Sequence, residues 1–223
     1  MALSEWHRKH LLTGGALAAP LFFAVSTVHG AVLADYDPRR HPVSSLALAP
    51  HGWVQTANFL VTGALYGGLA VELQRPAPGL PRSRLGAGLI GAVAAGLLGA
   101  GTFLTDPISG YPPGTPEASP GYSGTVAALH DLLSIPTFLG LPAAAAVYAH
   151  AFARQRRPGW VLYSAGTAAV MLTGFGLASA AFSQAPTLVA NGGLYQRIAV
   201  ASGFTWLSVL ALQARRDLEQ SGQ

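Results

Sequence analysis

Cysteine and charge are what this sequence has least of. The 223 residues contain no cysteine, which excludes disulfides, thiolate metal sites and cysteine nucleophiles. Charged residues make up only 10% of the chain, whereas soluble domains usually carry about a quarter. So few charges cannot cover the surface of a globule of this size. We therefore interpret the missing polar surface as surface in contact with lipid.

Six apolar runs are long enough to cross a bilayer, which takes about 20 helical residues. None of them alternates with a period of two, as the strands of a membrane barrel would, so we predict helices. The first run is about 23 residues, long for the apolar core of a signal peptide, and we expect it to be retained. The prediction is an all-α bundle of six transmembrane helices in a single domain over residues 1–223, with spans at about residues 11–33, 53–73, 85–104, 126–149, 160–182 and 194–212.

The basic residues are distributed unequally between the two sides of this predicted bundle. Ten of the 13 Lys and Arg residues lie in the two terminal tails and in the second and fourth loops. Loops one, three and five, with the adjoining helix ends, contain only Arg39, Arg40 and Arg197. Because positive charge marks the cytoplasmic side, we predict that both termini are cytoplasmic and that loops one, three and five face out. This placement accounts for the net charge of +4 without nucleic acid as a partner.

Small residues and prolines indicate how the helices pack. The third run carries two stripes of small residues at i, i+4 spacing, which let helix backbones approach closely in lipid, so we predict a central position for this helix. The prolines inside runs one and four are expected to kink those helices. The stripes are Ala87, Gly91, Ala95 and Gly99, and Gly88, Ala92, Gly96 and Ala100; the prolines are Pro20, Pro136 and Pro142.

Polar residues gather at the predicted outer ends of the helices, around a Pro/Gly-rich loop between Phe103 and Asp131. Ionisable residues within spans are costly and usually face the bundle interior, where they mark function. We therefore predict a polar pocket under this loop. The candidate ligand-binding residues are Ser45, Gln55, Asn58, Asp131, Ser134 and Gln196. Tyr36 and Tyr111, near the same interface, are interpreted as anchors of an aromatic belt.

Asp106, His130 and Arg197 are the candidate catalytic residues. His130 with Asp106 or Asp131 has the residue types for acid–base catalysis on a lipid. A buried arginine needs a carboxylate, and either aspartate is the natural partner of Arg197. Structural roles remain open: a snorkelling Arg197, a turn at Asp106 before Pro107, and a His130 that satisfies loop backbone groups.

Metal and haem sites are weakly supported. Zinc could be held by His130 and Asp106 with His29 or His51, but no paired-histidine spacing is present, and we predict no metal site. Haem would use two of His10, His29, His130 and His150, but spacings of 19 and 20 residues place the two histidines of each helix about 30 Å apart, at opposite membrane faces. We therefore do not favour haem.

The sequence resembles a bacterial and archaeal membrane-protein family known as domain of unknown function 998. The resemblance implies a multi-helix protein of this size in the inner cell membrane, and it implies no activity. It covers nearly the whole chain, in segments that begin at Asp35-Tyr-Asp-Pro, Pro42-Val-Ser-Ser-Leu-Ala, Gly52-Trp-Val-Gln, Gly101-Thr-Phe-Leu-Thr-Asp-Pro, Gly110-Tyr-Pro-Pro-Gly, Leu129-His-Asp and Gly193-Leu-Tyr-Gln-Arg.

These observations favour one function and leave two alternatives. The first is a pocket on the outer side that binds a lipid or small amphiphile, with hydrolase or transferase chemistry left open. The second is a non-enzymatic membrane sensor or accessory to a protein partner. The third is a small-solute transporter, against which the lack of a detected inverted repeat weighs.

Overall fold

The computed structural model describes residues 5–76, 79–119 and 121–221, and this part of the chain is all-helical. Most helix ends differ from the predicted ones by only a few residues. The exceptions are the N-terminal end of α1 and the C-terminal end of α7, which extend well beyond the predicted spans. The helices are α1 (Glu5–Ala31), α2 (Trp53–Leu73), α3 (Arg84–Thr102), α4 (Thr125–Ile135), α5 (Leu141–Arg154), α6 (Pro158–Phe182) and α7 (Gly192–Ser221). Short 3-10 helices cover Val43–Leu48 and Val189–Asn191.

Helices α4 and α5 form one continuous rod, joined by the π-helical turn Pro136–Gly140. Pro136 has no N–H to donate, and the Leu141 N–H bonds back to the Pro136 carbonyl, which is the wider i→i+5 pattern of a π-turn. The proline predicted to kink this helix therefore begins a π-turn. Helix α1 runs through Pro20, and Pro142 lies in the first turn of α5.

Five of the rods are long and apolar enough to cross a membrane, and the chain is a multi-pass membrane protein. They are α1, α3, the α4–α5 rod, α6 and the segment Val189–Gln220 that contains α7. Helix α2 was predicted as a span but is not among the five. Its buried side chains include Gln55, Asn58 and Glu72, whose polarity lowers the mean hydropathy of a helix that is otherwise long enough.

The six rods close into a ring in the order of the sequence. Helix α1 packs on α2, α2 on α3, α3 on the α4–α5 rod, α5 on α6, α6 on α7, and α7 returns to α1. The interior is filled by large side chains that are fully buried, among them Tyr66, Phe204 and Trp206. Trp206 donates its indole N–H to the Ser164 hydroxyl at 3.0 Å, so this buried polar group is satisfied.

The small residues of α3 permit close approach at particular positions rather than along whole stripes. A Cβ at Gly96 would lie 2.4 Å from the Leu133 carbonyl oxygen of α4, and one at Gly99 would meet the Leu133 side chain. Ala94 contributes a carbonyl 2.9 Å from the Cβ position of Gly63 on α2. Gly88, in contrast, faces open space. Helix α3 thus packs closely against α2 on one side and α4 on the other, as a member of the ring and not at its centre.

The two ends of the ring are chemically different. At one end, here called the basic end, Arg8 pairs with the buried Glu72 at 2.5 Å and Arg215 donates to the Thr13 hydroxyl. The other end, here called the loop end, is formed by loop one (residues 32–52), loop three (residues 103–119 and 121–124) and loop five (residues 183–191). Loop three meets loop five there, because Gln184 donates to the Glu117 carbonyl at 2.8 Å.

Candidate functional site

A cavity of about 310 Å³ opens at the loop end, between loop three, the α4–α5 rod, α6 and the start of α7. Its wall contains the carboxylates of Asp106 and Asp131 and the hydroxyl of Ser134. A larger share of the wall is apolar, including three phenylalanines: Phe138, Phe175 and Phe182. We call this the outer cavity; its mixed wall is suited to a molecule with one polar and one apolar part.

A second, smaller cavity of about 50 Å³ adjoins the outer one toward the bundle interior. The two share four wall residues: Ser44, Ser134, Phe138 and Gln196. The inner cavity is bounded further by aromatic rings of α1, α2 and α7 and by His130. Gln196 is held in this shared wall because its side-chain oxygen accepts from the Val43 N–H at 2.8 Å.

The fold of the α4–α5 rod gives the outer cavity a polar rim and an apolar floor. Asp131, Ser134 and Phe138 follow one another at spacings of three and four, so they descend one side of the rod over about 10 Å. Phe138 lies in the π-turn and stacks on Phe175 of α6 with ring centroids 4.9 Å apart. Pro136 thus contributes to the floor, since it begins the turn that carries Phe138.

The two aspartates lie around Tyr122 at the rim. Asp106 accepts hydrogen bonds from the Ser123 N–H at 2.8 Å and from the Ser123 hydroxyl, which fixes loop three ahead of α4. The negative charge of Asp131 raises the pKa of the Tyr122 hydroxyl, and Asp106 acts in the same direction. The tyrosine therefore stays neutral, and both carboxylates are close enough to influence it.

His130 is buried and faces the inner cavity instead of the outer one. Its Nδ1 lies 2.7 Å from the Phe103 carbonyl oxygen, which can only accept, so Nδ1 carries a proton. In the neutral imidazole Nε2 is then the basic atom. His130 thus joins the C-terminal side of α3 to α4, the backbone role that the sequence left open.

Arg197 corrects the prediction of a carboxylate partner. Its guanidinium donates to the carbonyls of Pro38, His41 and Gly193 and to the Tyr36 hydroxyl, and it lies over the Tyr36 ring. Asp106 and Asp131 are not its partners, and Arg197 lines neither cavity. Its guanidinium instead binds backbone carbonyls of loop one and holds this loop against the start of α7.

Both the Arg197 side chain and the backbone at the start of α7 donate hydrogen bonds to loop one, and we call this set of contacts the lock between loop one and α7. The first N–H groups of α7 donate outward, Gly193 to the Arg40 carbonyl at 3.1 Å and Leu194 to the Arg39 carbonyl at 2.8 Å. These bonds satisfy donors that a helix start leaves without an intrahelical partner. A Cβ at Gly193 would lie 2.3 Å from the His41 carbonyl oxygen, so the close approach requires glycine.

Three aromatic residues that the sequence did not connect form the centre of this lock. Tyr36, His41 and Tyr111 are buried and lie in mutual ring contact at 5.0–5.6 Å. Tyr36 and Tyr111 were interpreted as belt anchors, which is wrong, because they pack inside the loop end. Burial lowers the pKa of His41, whose Nδ1 accepts from the Asp37 N–H at 3.0 Å. One local feature of the sequence could have indicated that loop one folds back here. The Asp37 side chain accepts from the Arg39 N–H and so forms a tight turn.

The remaining predicted ligand residues lie away from both cavities. Gln55, Asn58 and Thr62 share one buried face of α2, as their spacing predicts, and Tyr66 continues it; we call this the polar face of α2. Asn58 bonds to the Phe22 carbonyl at 3.0 Å and to Gln55 at 3.3 Å. Ser45, also fully buried, sits in the first 3-10 helix. Of the candidate ligand residues, Asp131, Ser134 and Gln196 therefore line the outer cavity, and Ser45, Gln55 and Asn58 do not.

The described part of the chain contains no group of three or more His, Asp or Glu side chains that could hold a metal ion. Asp106 and His130 line different cavities, and His29 Nε2 lies 3.4 Å from the Pro50 carbonyl oxygen. The zinc set considered from the sequence is thus not assembled.

Comparison with known proteins identifies the family of this chain and no individual relative. No curated protein and no solved structure matches it. One family model matches residues 16–213, which is most of the chain and includes both cavities and the lock between loop one and α7. The chain therefore belongs to the family described as protein of unknown function (DUF998).

Proposed function

We propose that this membrane protein binds a lipid or small amphiphile in the outer cavity. The observation that supports this most directly is the wall itself, which passes from Asp131 through Ser134 to Phe138 along one side of a single rod. Such a gradient matches a molecule with a polar headgroup and an apolar chain. The volume of about 310 Å³ is at the lower end for small-molecule sites, so it would take a headgroup and the first part of a chain.

Binding is favoured over hydrolase or transferase chemistry. A catalytic group must come within hydrogen-bond reach of the reacting atoms. Asp106 lines the outer cavity and His130 the inner one, while the guanidinium of Arg197 is engaged by loop one. These positions supply a recognition surface more readily than a shared reaction centre.

The orientation that we propose places the loop end outside the cell and both termini in the cytoplasm, with six spans in a bacterial or archaeal cell membrane. Ten of the 13 Lys and Arg residues belong to the basic end and its tails, in agreement with the charge rule. Helix α2 is taken as the sixth span because its 21 residues pack in the ring between α1 and α3, two helices that are themselves long and apolar enough to cross. The cavity then opens to the outer leaflet.

The absence of cysteine makes this orientation directly testable. Ala118→Cys places a single thiol on exposed loop three, and Gln155→Cys places one on the exposed turn before α6. In intact cells we expect a membrane-impermeant maleimide to label Ala118→Cys and to spare Gln155→Cys until the membrane is opened. The reverse pattern would contradict the orientation.

Occupancy of the outer cavity can be tested by filling it. Ser179 on α6 is an exposed lining residue, so Ser179→Trp would push an indole into the space. In lipid nanodiscs, a hexadecanol with a diazirine near its headgroup should label peptides containing Phe138 and Phe175 in the unmodified protein. We expect Ser179→Trp to reduce that labelling about tenfold, as a loss of roughly 1.4 kcal/mol in binding would.

Leu172→Trp is the matched control, because it adds an indole on the same helix, two turns away, at a lipid-exposed position that does not line the cavity. It should leave labelling at Phe138 and Phe175 unchanged. Equal labelling in both variants, spread over lipid-facing residues, would show that the probe reports the bilayer and would refute binding in the cavity.

A further inference from the structure

We propose that the occupant of the outer cavity carries a cationic nitrogen headgroup, a primary amine or a quaternary ammonium, on a long apolar chain. This inference rests on the proposed function and narrows it to one class of amphiphile. Three features of the loop end carry it: the charge of the cavity wall, the partners of the neighbouring arginines, and the aromatic rings beside the carboxylates.

The charge of the described wall is of one sign. Asp106 and Asp131 line the outer cavity, and none of its described lining residues is a lysine or arginine. Asp106, Asp131 and Tyr122 belong to the same wall, and both carboxylates are near enough to Tyr122 to raise the pKa of its hydroxyl. An anionic headgroup entering there would face two like charges, which is strongly unfavourable, whereas an ammonium group would be attracted.

The arginines of the loop end do not neutralise these carboxylates. Arg40 pairs with Glu117 and donates to the Ser109 carbonyl, and Arg39 donates to the Asn191 side chain at 3.1 Å. Arg197 is held by the carbonyls of loop one. Each guanidinium thus has partners elsewhere, and the charge of the cavity rim is left for a ligand to balance.

Aromatic groups lie where a cation and its chain would sit. Tyr122 lines the rim beside the carboxylates, and the face of a tyrosine ring attracts ammonium groups. Below it, the stacked rings of Phe138 and Phe175 form an apolar floor. Carboxylates with an aromatic ring at the rim and apolar rings beneath together fit a headgroup of positive charge followed by hydrocarbon.

The test compares three probes with one C16 chain and one diazirine position, differing only in the headgroup: amine, alcohol and phosphate. Labelling of peptides containing Phe138 and Phe175 is measured in zwitterionic nanodiscs and normalised to labelling around Leu17, which is exposed on α1 and lines neither cavity. We expect the amine to label at least about tenfold more than the phosphate, because partly desolvated charge pairs discriminate at this scale. High salt should reduce the difference.

Two variants test whether the preference for the amine probe arises in the outer cavity. Asp131→Asn removes one rim charge from an exposed position with little change in shape, and we expect it to lower amine labelling severalfold while leaving alcohol labelling unchanged. Asp35→Asn removes the same charge from exposed loop one, away from the cavity, and should have no effect. Stronger labelling by the phosphate, or equal labelling by all three probes in every variant, would overturn the headgroup inference while leaving amphiphile binding in place. Failure of all three probes to label the cavity would overturn the proposed function itself.

Discussion

Gly96→Ala is expected to destabilise the protein, although it adds a single methyl group to a helix. The added Cβ would lie 2.4 Å from the Leu133 carbonyl oxygen, which belongs to the backbone of α4 and cannot rotate away. The rod must move outward by several tenths of an ångström, and overpacking of this kind typically costs about 1–3 kcal/mol. For a chain of this length, we expect the melting temperature to fall by about 2–12 °C, measured in nanodiscs.

Gly88→Ala is the control for this effect, because it lies on the same helix and a Cβ there would meet no atom within 4 Å. Alanine is the better helix former by up to about 1 kcal/mol, so Gly88→Ala should keep or raise the melting temperature. The two variants therefore separate helix propensity from packing. Equal behaviour would mean that α3 and α4 do not approach as closely at Leu133 as described.

Arg197→Gln should release loop one from the start of α7. It removes a charge that four oxygens share, those of Pro38, His41, Gly193 and Tyr36. Hydrogen bonds to a charged group contribute about 1.5–3 kcal/mol, and the carbonyls left without a donor add to the loss. We expect a melting temperature lower by several degrees and cleavage by trypsin at Arg39 or Arg40 at a protein-to-enzyme ratio that leaves the unmodified protein intact.

Two further variants are the controls for Arg197→Gln. Arg197→Lys keeps the charge but cannot span the same oxygens, so partial loss is expected. Arg39→Gln removes an exposed arginine whose side chain donates to Asn191, and it should lower the melting temperature by less than about 4 °C, since such surface contacts contribute under about 1 kcal/mol. A catalytic Arg197 would behave differently: activity would disappear while the fold and the protease resistance of loop one remained.

The helices could be predicted from the sequence because hydropathy and helix periodicity are local properties. The approximate positions of the rods and the shared face of Gln55, Asn58 and Thr62 follow from hydropathy and spacing. Asp131 and Ser134 were placed at the site for the same reason, since they occupy one side of a helix beside a long loop. Which small residues of α3 meet a neighbour does not follow in this way, since Gly96 is in close contact and Gly88 is not.

The partners of single polar groups could not be predicted in this way. Arg197 is bound mainly by backbone carbonyls, which every residue has and which leave no mark in the sequence. Polarity near the outer surface also suggested that Gln55 and Asn58 line the predicted pocket, whereas both side chains are buried in the bundle core. The π-turn that carries Phe138 depends on how the helix accommodates Pro136, and the sequence predicts a disturbance at this proline without specifying a π-turn.

The polar face of α2 has a consequence for how the protein is made. Gln55, Asn58 and Glu72 make α2 less favourable in hydrocarbon than its other, mostly apolar residues would make it, because each of these groups is costly to strip of water. The cost falls once Phe22 of α1 offers a carbonyl to Asn58 and Arg8 offers a countercharge to Glu72. These contacts therefore make α2 more stable beside α1 than it would be by itself, so the two helices are expected to form as a pair.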